Sequence, residues 1–233
     1  MVLQNETQRI KERYARRLEA GSNKQWLALD PYGMCVRQER ELALARLLRN
    51  KQKDRDLATL TCTEIGCGTG GNLQQLVMFG FSPANLTGNE LLEYQAKKAR
   101  ETLPSTIQID IGDALELELA KGSQDIVYAS TVFSSILDDN FQEKLAHRMW
   151  SWVKPGGAIL WYDFTFDNPH NPDVRGVPKK RLRALFPEGR VEAHRVTLAP
   201  PIGRRVVPLS ASLYRLFNVV PLLRTHILCW IEK

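Results

Sequence analysis

The stretch Thr63-Glu64-Ile65-Gly66-Cys67-Gly68-Thr69-Gly70-Gly71-Asn72-Leu73 decides how the rest of the chain is read. It follows a short β-prone run, Ala58 to Cys62, and leads into a helix-like run ending at Phe79, so it reads as strand, glycine turn and helix start. Glycines let backbone approach a ligand closely, and the first turn of a helix offers N–H groups with no intrahelical partner. Together they suit a nucleotide-like ligand. Two spacings compete. Gly66, Gly68 and Gly71 give G-x-G-x-x-G, the dinucleotide form of the turn, whereas Gly66, Gly68 and Gly70, with Glu64 two residues ahead, give E-x-G-x-G-x-G.

Outward from this turn, strand and helix patterns alternate. Strands are expected at 59–65, 86–90, 107–111, 125–129 and 158–163, and helices at 72–79, 92–103, 115–120 and 140–153. A sixth strand is expected at 190–198 after a helix at 179–186, and a last strand at 225–232. Upstream, Ile10, Tyr14 and Leu18 stripe a helix over 5–20 that ends before Gly21; its other face, Arg9, Arg13, Arg16 and Arg17, is expected to be solvated. A turn-rich stretch through Trp26 and Asp30-Pro31-Tyr32-Gly33 separates it from a second helix at 37–50 with Leu44, Leu47 and Leu48 on its buried side. Alternation of this kind calls for a parallel, doubly wound sheet whose ligand lies beyond the carboxyl ends of the strands.

The strand ends carry the chemistry. The second closes on Gly88-Asn89-Glu90, whose carboxylate can accept both hydroxyls of a ribose, and the third on Ile111-Gly112-Asp113-Ala114. After the fourth comes Tyr128-Ala129-Ser130-Thr131-Val132-Phe133-Ser134-Ser135, and Lys154-Pro155-Gly156-Gly157 precedes the fifth. In this order, from about Ala58 to Asp163, the chain resembles the class I S-adenosylmethionine-dependent methyltransferases of the small-molecule, tailoring type. The resemblance implies a Rossmann-like α/β fold: a seven-stranded, mostly parallel sheet with an antiparallel last strand. Residues 1–50 form a helical cap and 51–233 the core. It also implies a cofactor site of Glu64, Gly66, Cys67, Gly68, Gly70, Asn72, Glu90, Asp113, Ala114 and Ser130 for S-adenosyl-L-methionine, with Asp113 and the Ala114 backbone on adenine. Tyr14, Tyr32 and Gln38 are candidate lid contacts.

Two other readings stand beside it: a nicotinamide oxidoreductase, and a catalytically silent S-adenosylmethionine-binding protein. The first has Tyr94-x-x-x-Lys98, a reductase-like pair, but on the helix after the second strand, too early in the fold to meet a nicotinamide. Methyl transfer is an in-line displacement, so alignment comes first and a base helps only a hydroxyl acceptor. The candidate bases are His226, at the start of the last strand, His170, in the polar loop 167–176, and Asp163, ending the fifth strand. His147 falls on the outer face of its helix and His194 inside the sixth strand, so both are read as structural.

The 233 residues, with 32 Lys and Arg against 26 Asp and Glu, suit one α/β unit. Nine Lys/Arg against two Glu lie between Arg175 and Arg205, a net of +7 that exceeds the whole surplus of +6. The remainder is close to neutral, which argues against a nucleic-acid binder, as does the lack of an Asn/Asp-Pro-Pro-aromatic element after the fourth strand. The window fits either a solvated surface or recruitment of an anionic small-molecule or glycan acceptor by O-methylation chemistry. Pro200 to Arg205 is expected to be a loop at the cofactor edge, and the stripe Leu209, Leu213, Leu216, Phe217 and Val220 to pack on the sheet. The four cysteines form no C-x-x-C pair and have no metal-like spacing with histidines, and no run has the length of a membrane span; a reduced, cytoplasmic protein is the expectation.

Overall fold

A computed structural model describes residues 5–19 and 29–233. Ala20, Gly21 and Trp26, read above as helix end and turn, lie outside the described residues. The parallel strands are β1 (Cys62–Ile65), β2 (Leu86–Glu90), β3 (Gln108–Ile111), β4 (Gln124–Ser130) and β5 (Val153–Phe164), followed by β6 (Arg190–Leu198) and β7 (Arg224–Glu232). They form one sheet in the order β3-β2-β1-β4-β5-β7-β6. Strand β7 runs antiparallel between β5 and β6, with Phe164 opposite His226 and Leu198 opposite Arg224. This is the Rossmann-like sheet that the alternating pattern implied.

The central strands are buried on both faces and divide their side chains by the period of two. Ile126, Tyr128, Leu160, Tyr162, Leu228 and Trp230 join the core under α2 (Pro31–Lys51), with Leu44, Leu47 and Leu48. Val127, Ala129, Ile159, Trp161, Ile227 and Cys229 join the opposite core, with Met149 and Trp152 of α5 (Asp139–Trp152). Double burial makes these strands read as continuous apolar runs. The other helices are α1 (Glu6–Glu19), α3 (Gly71–Met78), α4 (Glu93–Thr102), α6 (Lys179–Leu185), α7 (Pro200–Val206) and α8 (Ala211–Asn218).

Four expectations need correction. Helix α2 starts six residues before residue 37, because Asp30 caps it by accepting from Gly33 N (2.7 Å) and Pro31 occupies the first helical position. Residues 115–120 are not a helix. Asp113 Oδ1 accepts from Leu115 N in a local turn, and Arg148 donates to Leu117 O, which takes the carbonyl out of any helical ladder. Residues 200–206 are helical rather than a loop, again with proline in the first turn. The stripe of α8 faces outward: Leu209, Leu216, Phe217 and Val220 are exposed, while Tyr214 and Asn218 face in.

Candidate active site

The carboxyl ends of β1, β2, β3 and β4 open into a cavity of about 320 Å³. The glycine turn forms its floor. Gly66 has φ +65° and a side chain there would strike Val132 at 2.8 Å, so only glycine lets the β1 turn lie this close to the loop after β4. Gly70, also left-handed at φ +85°, does not line the cavity. It opens α3 against Leu103, which a Cβ would meet at 2.5 Å.

Of the residues expected to hold cofactor, Gly66, Cys67, Gly68, Asn72, Glu90, Asp113, Ala114 and Ser130 line the wall. Glu64 is one layer beneath. It is fully buried, accepts from Asn72 Nδ2 at 2.6 Å and has Oε2 without a hydrogen-bond partner; burial pushes its pKa up to about 8. Glu90 Oε2 accepts from Gly68 N and its Oε1 from Leu92 N, both at 2.8 Å, which locks the carboxylate in place. A carboxylate has about four lone pairs, so two backbone donors leave acceptor capacity facing the cavity. Burial raises the Glu90 pKa against the pull of those N–H groups. Burial also raises the Cys67 thiol, leaving a neutral wall group rather than a nucleophile.

Helix α1 roofs the cavity through Thr7, Ile10 and Tyr14, one face at helical spacing. Its arginines are not simply solvated. Arg13 is buried, donating to Glu6 Oε1 at 2.6 Å and to Ser135 O at 2.9 Å; Glu6 in turn accepts from Leu137 N. Arg16 and Arg17 reach Asp173, and Thr7 Oγ1 donates to Asp113 Oδ2 at 2.5 Å. Of the lid candidates only Tyr14 reaches the wall. Tyr32 is buried and donates to Leu198 O, and Gln38 is exposed. The exposed pair Tyr94 and Lys98 also lies off the wall.

Sequence reasoning missed Arg40. It lines the cavity opposite the acidic end, donates from Nη2 to Asn72 Oδ1 at 2.9 Å, stacks over the Tyr162 ring at 5.1 Å and has a buried Nε without a partner. Its signal was available, since it stands one turn before Leu44 on the apolar face of α2, where a charge is out of place. Thr131, another wall residue, has φ 57° despite its β-branch. Strain of that kind collects at functional turns.

The three candidate bases stand back from the wall. Asp163 is fully buried, accepts from Ser134 N (3.0 Å) and Phe164 N (2.9 Å), and burial lifts its pKa to about 7. His226 stacks on Tyr162 at 5.1 Å, and burial plus the Arg40 charge hold its pKa near 4. His170 is exposed in its loop.

Residues 63–157 match the model of the methyltransferase domain family. The match spans 95 of the 233 residues, from β1 into the start of β5, and marks this stretch as similar to a methyltransferase domain. The fold also recurs in solved structures. An S-adenosylmethionine-dependent methyltransferase from Archaeoglobus fulgidus is 16% identical over 88% of this chain and all of that one, with a TM-score of 0.60. A methyltransferase from Mesorhizobium loti is 16% identical over 81% of this chain and 96% of that one, TM-score 0.55. The geranyl diphosphate C-methyltransferase of Streptomyces coelicolor, solved with S-adenosyl-L-homocysteine, is 14% identical over 82% and 76%, TM-score 0.57. At these identities the likeness is one of fold.

Proposed function

We propose that this methyltransferase alkylates an oxygen of a small molecule or glycoconjugate by in-line displacement inside the α1-roofed cavity. The observation that carries the reading is the polarity of the wall: Glu90 and Asp113 at one end, Arg40 at the other, hydroxyls between them. That order matches a molecule with ribose and adenine at one end and an amino-acid carboxylate at the other. In this reading Glu90 accepts the ribose hydroxyls, Asp113 and the Ala114 backbone meet the adenine edge, and the turn Gly66–Gly68 lies against the methionine portion. Arg40 pairs with the carboxylate, a role suited to a guanidinium in the wall whose buried Nε has no partner. S-adenosylmethionine supplies an electrophilic methyl on a sulfonium.

The chain's own task is alignment. Ser130, Thr131, Ser135 and Tyr14 border the space left for an acceptor, and α1 keeps water from it. With Asp163, His170 and His226 set back, proton removal is secondary, and the pH profile separates the candidates. If Asp163 takes the proton, kcat/KM rises with pH through about 7; if His226 does, it is flat between pH 6 and 8, above its pKa of about 4. The cationic residues at the edge of the sheet favour an acceptor bearing phosphate or carboxylate. The decisive experiment uses methyl-labelled S-adenosylmethionine with panels of hydroxylated metabolites and glycans. A methoxyl carbon in the product is expected. Label on nitrogen, or on carbon as in the Streptomyces neighbour's reaction, overturns the oxygen assignment.

A further inference from the structure

Helix α8 is amphipathic in the wrong sense for a helix that packs on a sheet. Its inward pair is polar: Tyr214 Oη donates to Glu39 Oε2 at 2.5 Å and Asn218 Nδ2 to Glu39 Oε1 at 2.7 Å, while the same carboxylate accepts from Thr197 N. This knot holds the helix to α2 and β6, and the apolar side chains are left outside. Leu209 is 79% exposed, Leu216 64%, Val219 70% and Leu222 83%, with Phe217 and Val220 beside them. Neighbouring large apolar groups at such exposure mark a surface that something covers.

Along this segment of the chain the charge has one sign. No Asp or Glu occurs between Glu192 and Glu232, while Arg195, Arg204, Arg205, Arg215 and Arg224 do. Elsewhere in the basic window several arginines are paired: Arg175 and Arg181 with Asp139, Arg181 also with Glu143, and Arg190 with Glu232. Arg204 stacks over Tyr32, and Arg224 donates to the backbone carbonyls of Asn218 and Arg195. A two-fold pairing of this face with a second copy would set arginine against arginine. Its complement is apolar in depth and anionic at the rim, which is the cross-section of a bilayer leaflet containing acidic lipid.

We propose that α7, α8 and the turn Pro221–Leu223 form a foot by which the protein sits on an anionic membrane surface, apolar side chains in the acyl boundary and guanidinium groups on headgroup phosphates. No helix among the described residues is long and apolar enough to cross a membrane, so the attachment is peripheral. Helix α7 leaves the carboxyl end of β6, the sheet edge on which the cavity opens, so the foot holds that edge at the lipid surface. Resting on the function proposed above, this favours an acceptor that is itself an amphiphile held in the membrane.

The test needs no acceptor. The full chain is sedimented with vesicles of phosphatidylcholine alone and of phosphatidylcholine mixed equally with phosphatidylglycerol. Capture by the acidic vesicles is expected to be at least about tenfold tighter than by the neutral ones, and to weaken as salt rises. Leu216→Glu with Leu222→Glu should lose about tenfold or more of that affinity, with unchanged melting temperature and S-adenosylmethionine affinity. Arg205→Glu with Arg215→Glu should remove the preference for acidic lipid. No capture by either vesicle overturns the proposal, as does capture indifferent to both double variants. A concentration-dependent dimer that Leu216→Glu with Leu222→Glu disperses, without vesicle binding, reassigns the face to a second copy.

Discussion

The two ends of the central sheet treat buried carboxylates in opposite ways. At the amino end, Asp125 opens β4 and accepts from Thr61 N and Oγ1, Arg55 (2.5 Å) and Lys154 (2.7 Å). Burial alone would raise its pKa, yet Lys154, Thr61 and Arg55 win and hold it far below the usual carboxylate range. At the carboxyl end, Glu64, Glu90 and Asp163 are met by amides and backbone N–H groups, and burial wins at all three. The lower end is a finished staple joining β1, β4 and β5. The upper end keeps acceptor capacity in reserve, as sites that must recognise a ligand do.

Three measurements probe that contrast. The largest effect on cofactor binding is expected from Glu90→Ala, which removes the proposed ribose acceptor and frees Gly68 N and Leu92 N. Calorimetry should show S-adenosylmethionine and S-adenosylhomocysteine binding about 100-fold more weakly, about 3 kcal/mol, because each charge-assisted hydrogen bond is worth roughly 1.5–3. Unchanged affinity would remove Glu90 from the ribose.

Asp125→Asn should act on the fold and not on the ligand. With Arg55 and Lys154 partly in solvent, the loss is about 2 kcal/mol of unfolding free energy near neutral pH. The aspartate's contribution is full above its unfolded pKa and disappears as pH falls through the acid range, so variant and parent should converge there. A weakened cofactor affinity in this variant would erase the distinction between the two ends.

Near pH 5 the smallest shift belongs to Glu64→Gln, and it grows as pH rises. A carboxyl raised from 4.5 to about 8 binds its proton more tightly folded than unfolded, so its contribution falls as pH climbs from about 4.5 to 8. The amide should flatten that slope, coming close to the parent near pH 5 and melting clearly higher than it at pH 8. Identical pH profiles would mean that Glu64 ionises normally in the fold.

The sheet was legible because its strands are apolar on both faces and its ligand residues sit where strands end. What escaped depended on partners far along the chain or on ambiguous local signals. Asp30-Pro31 reads equally as a turn and as a helix cap followed by its first residue. The outward stripe of α8 could not be foreseen without Glu39, 175 residues from Tyr214. Arg13 looked solvated until Glu6 and Ser135 surrounded it, the latter 122 residues away. His226 looked available at a strand start, but Tyr162 from β5 stacks on its ring.

The pairing of β6 with β7 ends at Leu198 opposite Arg224, and the two strands are antiparallel neighbours. Two such strands need only a hairpin of a few residues. Everything from Ala199 to Leu223, α7 and α8 included, is topologically a long detour in that hairpin. Its sequence can drift, lengthen or be exchanged while the strands on either side keep their register, with Glu39 and Tyr32 as the contacts a graft must satisfy anew. The glycine turn has no such freedom, wedged against Val132 on one side and Leu103 on the other. The proposed membrane foot and the proposed cofactor turn therefore lie in parts of the chain that can evolve at different speeds.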